Sequence, residues 1–391
     1  MAPAAGPPQR ILHVSPSFFP AHRYGGPIIA LHELCRAQVA AGLDVKVLTS
    51  DAAGNGERLP GLGGRWTCAP GLPTFYARVA LGEDIAPELA ASLPALVRWA
   101  DLIHVTGVWN VTSQLGVLGA LLGRRPCVLW PNGALLPWAM GQGNRHKRLV
   151  LRLLTPLLRR VSGWHATSDE EAAALRQLGI VGKDAVVRLI PNGVTIGQFG
   201  PPGPRPAGAP RVVVLGRIHP VKNLELAIES LAALRMQPGF EQATLALAGP
   251  ESAADGYGER LRALARACGV EAAVTFPGLL TGEAKGRQLG EADVLWLCSH
   301  MESFGNVVAE ALAAGTPVVA ANTTPWRLLD ELRCGRWVAP TPAAFVAATR
   351  ELAAPGLRPL LAERCQEAAS RFAWPRIEAE VRALYRQVAG C

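Results

Sequence analysis

Short apolar segments alternate with longer helical patterns along most of the chain, and this alternation constrains the fold more than any other feature. Segments 10–15, 211–216 and 292–298 have the length and apolarity of buried strands, and each runs into a polar or glycine-bearing loop. Segments 28–41 and 224–234 have the pattern of helices. Alternation of this kind is typical of parallel sheets with helices on both faces. For 391 residues we therefore predict an α/β protein with two doubly wound domains.

A stretch rich in proline and glycine, residues 197–210, divides the chain into two halves. Such a composition does not suit the interior of a helix or sheet, so we predict an interdomain linker. The start of the chain is rich in proline and alanine without an apolar core, and we expect a disordered tail rather than a secretory signal. The predicted organisation is a tail at 1–9, an N-terminal domain at 10–196, the linker at 197–210, a C-terminal domain at 211–373 and a last helix at 374–391.

The net charge of +8 lies in the first half of the chain. Residues 1–206 hold 20 Lys and Arg against 12 Asp and Glu, whereas residues 207–391 hold 19 of each. The basic residues do not follow an aromatic-lined groove, so we expect no nucleic-acid partner. The eight cysteines are scattered and form no CxxC pair, and no Asp-x-Asp occurs. We therefore expect no metal centre, no cofactor and a reducing, cytoplasmic location.

The densest basic segment is residues 145–160, which holds six basic residues and no acid. Leucines recur there at helical spacing, opposite Arg145, Arg148 and Arg152. One interpretation is a basic amphipathic helix on an anionic membrane surface. The other is an ordinary helix that packs on the core and turns a basic face outward, and Pro156 favours it because proline kinks a long helix. Both interpretations remain open.

Two acids flank the start of a predicted helix in the second half. Glu302 lies in the loop after the strand at 292–298, and Glu310 lies inside the helix that follows. Gly305 and Asn306 stand where that helix begins, and a helix N-terminus offers free N–H groups to a phosphate. Carboxylates accept hydrogen bonds from sugar hydroxyls. The arrangement therefore indicates a ligand with sugars on both sides of a diphosphate.

Cations and glycines follow two other predicted strands. Arg217 and Lys222 come directly after the strand at 211–216, where they suit a diphosphate. Gly25 and Gly26 lie in the loop after the first strand, and ligands bind parallel sheets beyond the carboxyl ends of strands. The sequence has no GxGxxG fingerprint and no P-loop. Residues 282–286 contain two glycines and a lysine, and we predict that they form only a loop.

These motifs together resemble the retaining glycosyltransferases of family 4, which have the GT-B fold. The resemblance rests on Glu302-x7-Glu310 with the following Ala-Gly-Thr-Pro-Val-Val, on Gly216-Arg217 with Lys222-Asn223, and on the Tyr-Gly-Gly-Pro loop at 24–27. Residues 133–139 and 165–168 are similar to enzymes of bacterial polysaccharide and lipopolysaccharide assembly. The resemblance implies two Rossmann-like domains facing across a cleft, with the donor bound mainly by the C-terminal domain and the acceptor mainly by the N-terminal domain.

The resemblance also implies roles for particular residues. Glu302 would hold the hydroxyls of the donor sugar and Glu310 the ribose, while the cations would neutralise the diphosphate. The implied catalytic residues are Glu302, Arg217 and Lys222. The implied donor-binding residues are Gly25, Gly26, Arg217, Lys222, Gly278, Leu279, Glu302, Phe304, Gly305, Asn306 and Glu310. On the acceptor and sugar side, His104, Asn110 and Asn132 remain three alternatives.

The implied reaction is metal-independent transfer of a hexosyl group, with retention, from a UDP- or GDP-sugar to a hydroxyl of a glycan or polyprenyl-linked acceptor. The implied location is the cytoplasm, at the inner face of the plasma membrane if the basic helix docks there. Two alternatives are a GT-B-like binding or assembly subunit without turnover, and an epimerase or hydrolase of nucleotide sugars on the same fold.

Overall fold

The computed structural model describes residues 7–68, 71–141, 144–197, 210–251 and 256–390, apart from the side chains of residues 144 and 145. The chain forms two compact units. The first consists of the chain up to Gly193 together with the C-terminal segment from Trp374, and the second is Val194–Ala373. Most of the predicted tail and almost all of the predicted linker lie outside the described residues.

Within the described residues, the first unit contains an eight-stranded sheet, a small hairpin and six α-helices before the chain leaves it. The strands are β1 (Arg10–Val14), β2 (Asp44–Ser50), β3 (Ala52–Gly54), β4 (Glu57–Arg58), β5 (Arg65–Thr67), β6 (Thr74–Ala77), β7 (Leu102–Thr106), β8 (Cys127–Trp130), β9 (Gly163–Ala166) and β10 (Val186–Leu189). The helices are α1 (Gly26–Ala40), α2 (Pro87–Trp99), α3 (Val111–Leu122), α4 (Pro137–Gly141), α5 (Asn144–Leu158) and α6 (Asp169–Gln177). The strand order is β10-β9-β8-β7-β1-β2-β6-β5, parallel except for the edge strand β5.

The part of the second unit that the structure describes contains a six-stranded parallel sheet and seven α-helices. The strands are β11 (Arg211–Leu215), β12 (Thr244–Ala248), β13 (Val274–Thr275), β14 (Val294–Leu297), β15 (Val318–Ala321) and β16 (Gly335–Val338). The helices are α7 (Leu224–Arg235), α8 (Tyr257–Ala267), α9 (Gly282–Glu291), α10 (Asn306–Ala313), α11 (Leu328–Glu331), α12 (Pro342–Leu352) and α13 (Arg358–Ser370). The strand order is β13-β12-β11-β14-β15-β16.

Each sheet has an apolar core on both faces, because successive side chains of a strand point to opposite sides. In β11, Val212 and Val214 join the core formed with α7, α8 and α12, whereas Val213 and Leu215 join the core formed with α10 and α13. In β1, Leu12 and Val14 pack on one side and Ile11 on the other. Both units are therefore doubly wound α/β folds, as the alternation of strands and helices predicts.

The last helix, α14 (Trp374–Ala389), belongs to the first unit. Its apolar face, with Ile377, Val381 and Leu384, packs in the core that also holds α1. The hydroxyl of Tyr385 connects it to the sheet and to α1, because it lies 2.7 Å from His104 Nδ1 and accepts a hydrogen bond of 2.9 Å from Gln38 Nε2. In the parts of the chain that the structure describes, no helix is both long enough and apolar enough to cross a bilayer.

Candidate functional site

The order of the strands in the second unit places two of its loops side by side. From β11 the chain moves outward through β12 and β13, and then returns to add β14 on the other side of β11. Ligands of open parallel sheets bind at such a reversal, beyond the carboxyl ends of the two strands. The loop after β11 carries Arg217 and Lys222, and the loop after β14 carries Glu302. The two loops that carry these predicted residues therefore lie next to each other.

Lys222 and Glu302 form the centre of this site. Lys222 Nζ lies 2.5 Å from Glu302 Oε1, and the same oxygen accepts a 2.6 Å hydrogen bond from Ser299 Oγ. Only 17% of the lysine side chain and 11% of the glutamate side chain are exposed. Thr323 Oγ1 in turn donates to the carbonyl oxygen of Ser299 at 2.7 Å. The carboxylate is thus held on Oε1, and Oε2 has no hydrogen-bond partner among the described residues.

Arg217 differs from Lys222 in its surroundings. Its side chain is exposed, and it has no hydrogen bond or ion pair to any residue that the structure describes. The neighbouring Ile218 is buried, and its N–H donates to the carbonyl oxygen of Pro250 at 2.9 Å, which anchors the loop to the end of β12. A guanidinium on an anchored loop, with its donors free, is suited to a diphosphate.

The loop that leads from Glu302 into α10 is fixed by aromatic packing. The Phe304 side chain is 4% exposed and packs on Trp326 and Phe372 at ring-centroid distances of 4.9 and 5.5 Å. Trp326 Nε1 donates to the carbonyl oxygen of Phe304. Gly305 adopts a left-handed conformation at φ +86°, which most side chains disfavour, and α10 begins at Asn306. The predicted contribution of Phe304 to donor binding could therefore come only from its backbone.

Glu310 also has a cationic partner, which the sequence analysis missed. Lys285 Nζ lies 2.5 Å from Glu310 Oε2, with 25% and 15% of the two side chains exposed. Residues 282–286, predicted to be only a loop, are the first turns of α9. The polar composition of this helix carries no clear sequence signal of its contact with α10. The sequence analysis did not single out Ser299 either, although it lies just after the buried strand β14 and three residues before Glu302.

The other predicted donor-binding residues are distributed over both units. Gly278 has φ +75°, and the Leu279 side chain after it is 49% exposed. In the first unit, Gly25 (φ +82°) precedes α1, and Gly26 is its first residue. This loop follows β1 next to β7, which is the reversal point of the first sheet. Their roles in donor binding stay predictions.

Of the three alternatives on the acceptor side, His104 is the most deeply buried. This residue lies within β7 and is 0% exposed, with its ring 5.0 Å from that of His13 and 5.6 Å from that of His165. Burial lowers the pKa of His13 and of His165 to about 4, so both rings are neutral near pH 7. The His104 ring has no exposed surface in this structure, and its role on the acceptor side stays a prediction.

Asn110 and Asn132 occupy loops that follow strands. Asn110, half-buried, precedes α3 in the loop after β7. Asn132 follows β8 with φ +55°, and its buried Nδ2 has no hydrogen-bond partner among the residues that the structure describes. The adjacent Gly133 N–H donates to the buried carboxylate of Glu171 at 2.5 Å. Burial raises the pKa of Glu171, and this acid belongs to the support of the loop.

The two doubly wound units have the GT-B fold, which solved structures share. Sucrose-phosphate synthase from Thermosynechococcus elongatus superposes with a TM-score of 0.74 at 23% identity, and the alignment covers 97% of this chain and 98% of that one. The Anabaena protein HepE, solved with UDP and glucose, superposes with a TM-score of 0.73 at 21% identity, covering 95% and 98% of the two chains.

Family models and curated relatives identify the family to which the chain belongs. The model of the glycosyl transferase 4-like domain matches residues 25–193, and that of glycosyl transferases group 1 matches residues 201–371. A D-inositol 3-phosphate glycosyltransferase from Xylanimonas cellulosilytica is 31% identical over 93% of this chain and 92% of its own. A GDP-mannose:cellobiosyl-diphosphopolyprenol alpha-mannosyltransferase from Komagataeibacter xylinus is 29% identical over 97% and 94%. The chain belongs to the family 4 glycosyltransferases.

Proposed function

We propose that this enzyme transfers a hexosyl group from a UDP- or GDP-sugar to a hydroxyl of a glycan or polyprenyl-linked acceptor in surface polysaccharide synthesis, with retention and without a metal ion. The observation that carries the proposal is the Lys222–Glu302 pair at the reversal point of the second sheet, where the loop after β11 also carries the exposed Arg217. The mannosyltransferase of Komagataeibacter, named for a diphosphopolyprenol acceptor, supports the lipid-linked alternative.

The chemistry follows from the charges at this site. As the bond between the anomeric carbon and the diphosphate breaks, negative charge develops on the departing phosphate and positive charge on the sugar. Arg217, Lys222 and the N-terminus of α10 stabilise the phosphate, while the free oxygen of Glu302 accepts hydrogen bonds from the sugar hydroxyls. The acceptor oxygen bonds to the same face of the anomeric carbon, and its proton passes to the departing phosphate.

The alternatives from the sequence receive no support from the comparisons. Of the relatives and solved structures described above, two are named as transferases and one as a synthase, and the name of HepE states no activity. An epimerase or hydrolase would release nucleotide without an acceptor, and a binding subunit would release none. A coupled assay of nucleotide release with and without acceptor separates all three.

A thermal-shift screen of nucleotides tests the proposed donor. We expect UDP or GDP, together with its sugars, to raise the melting temperature, because a ligand at 100 times its Kd stabilises by about 2.7 kcal/mol. The shift should persist with excess EDTA, since the positive charge comes from side chains. A Lys222→Met variant should lose most of it. If no nucleoside diphosphate raises the melting temperature of the wild-type protein, the proposed donor class is wrong.

We further propose that α5 holds the enzyme at an anionic membrane surface. The leucines of this helix have two environments. Leu151 and Leu158 pack in the core, whereas Leu149 and Leu153 are 56% and 73% exposed. Arg148 and Arg152 are exposed on the same helix. The neighbouring α3 exposes two more leucines, Leu118 and Leu122. Exposed leucines beside arginines suit a surface that is apolar below and negatively charged above. The Arg145 side chain lies outside the described residues.

Vesicle sedimentation tests this surface. Reversing Arg148 and Arg152 to Glu should weaken binding to vesicles of phosphatidylcholine with phosphatidylglycerol at least tenfold, because each basic residue near such a surface contributes about 1 kcal/mol. Reversal of Arg266 and Arg287, exposed in the second unit, is the matched control and should change binding little. Unchanged sedimentation of the Arg148 and Arg152 variant would show that α5 is not the docking helix.

A further inference from the structure

The Lys285–Glu310 pair resembles the Lys222–Glu302 pair in distance and shielding, although only the Lys222 contact is also a hydrogen bond. Both have a distance of 2.5 Å from Nζ to a carboxylate oxygen, and all four side chains are between 11% and 25% exposed. The pair of Arg287 and Glu283 on the same helix α9 is different, with 65% and 91% of the side chains exposed. Exposed pairs contribute little to stability, whereas shielded charges interact more strongly.

Lys222 donates a hydrogen bond to Glu302 Oε1, and Lys285 Nζ forms an ion pair with Glu310 through Oε2. Among the residues that the structure describes, Glu310 Oε1 and Glu302 Oε2 have no hydrogen-bond partner. An ionised carboxylate can accept about four hydrogen bonds, so the free oxygen of each acid can accept from hydroxyl groups of a ligand. The lysine then limits the orientations that the carboxylate adopts before the ligand arrives, which lowers the entropy cost of binding.

We propose that Lys285 is a positioning residue for the nucleoside half of the donor, and that it orients Glu310 toward the ribose hydroxyls. This inference rests on the proposed function, in which Glu310 binds the ribose. The position of α9 supports it, because this helix begins four residues after Gly278, in the loop predicted to lie near the base. Leu280 of that loop packs against the core that also holds α10. The loop at 278–280 and Lys285 of α9 therefore both contact the helix α10 or its core.

Isothermal titration of a nucleotide with and without ribose hydroxyls tests the role of Lys285. The probes are the nucleoside diphosphate that binds in the thermal-shift screen and its 2′,3′-dideoxy counterpart. We expect Lys285→Met to weaken binding of the ribonucleotide about tenfold and to change binding of the dideoxy nucleotide less than twofold. Lys285→Arg should restore most of the loss. The matched control, Arg287→Met on the same helix, should bind both nucleotides like the wild type.

A double-mutant cycle separates this inference from the proposed function. We expect Glu310→Gln to lose the preference for the ribonucleotide, and the double variant with Lys285→Met to lose little more, because one residue acts through the other. If Glu310→Gln loses the preference while Lys285→Met keeps it, the role of Lys285 is wrong and that of Glu310 stands. If Glu310→Gln keeps it, the ribose role of Glu310 is wrong. Equal weakening of both nucleotides by Lys285→Met overturns the inference in favour of a purely structural pair.

Discussion

Arg217→Ala is expected to lower kcat by roughly a hundredfold or more while leaving the melting temperature within a degree or so of the wild type. Removal of one preorganised donor to a developing negative charge typically costs a factor of 10² to 10³ in kcat. The fold should tolerate the change, because the side chain is exposed and has no partner among the described residues. Steady-state kinetics with saturating donor and acceptor measure the effect.

Two further variants make the Arg217 experiment specific. Arg217→Lys keeps the charge but not the fork of donors, and we expect it to retain an intermediate turnover. Arg327→Ala removes an arginine of the same unit that is 78% exposed, and its kcat should stay within about twofold of the wild type. Turnover of Arg217→Ala within a few-fold of the wild type would contradict the proposed stabilisation of the leaving group.

Gly249→Ala is expected to lower the free energy of unfolding of the second unit by about 3 kcal/mol, which corresponds to a drop of roughly 6 to 12 °C in Tm. Gly249 directly follows β12, and a Cβ there would overlap the carbonyl oxygen of Gly216 at the end of β11. Because this obstacle is backbone, relief requires the two strand ends to separate. Differential scanning calorimetry with and without nucleotide measures the loss.

The same change should also weaken donor binding, because Gly216 directly precedes Arg217 and the backbone shift passes into that loop. Gly290→Ala in α9 is the matched control: a Cβ there has open space, and alanine favours a helix over glycine by roughly 0.5 to 1 kcal/mol. We expect this variant to be as stable as the wild type or slightly more stable. A Gly249→Ala variant with unchanged Tm would show that β11 and β12 do not approach as closely as described.

Local sequence was informative wherever a side chain's role depends on its own segment. The strands predicted at 10–15 and 211–216 are confirmed to within one residue as β1 and β11, because short apolar runs bounded by polar loops have few other uses in an α/β protein. His104 shows where this reasoning ends. It lies within β7, and its ring contacts the hydroxyl of Tyr385, which lies 281 positions away in the helix α14 of the same unit.

Local patterns were sufficient to predict the doubly wound α/β class and to place Arg217, Lys222 and Glu302 in loops after buried strands. They did not predict which of these loops meet, because β11 and β14 pair residues that lie 82 positions apart and no local pattern specifies that pairing. The contact between Lys285 and Glu310 was not predicted either. It joins the helices α9 and α10, and the packing of two helices cannot be read from the periodicity of each one. Local patterns are set by the period of each helix or strand, whereas a site depends on packing between distant segments.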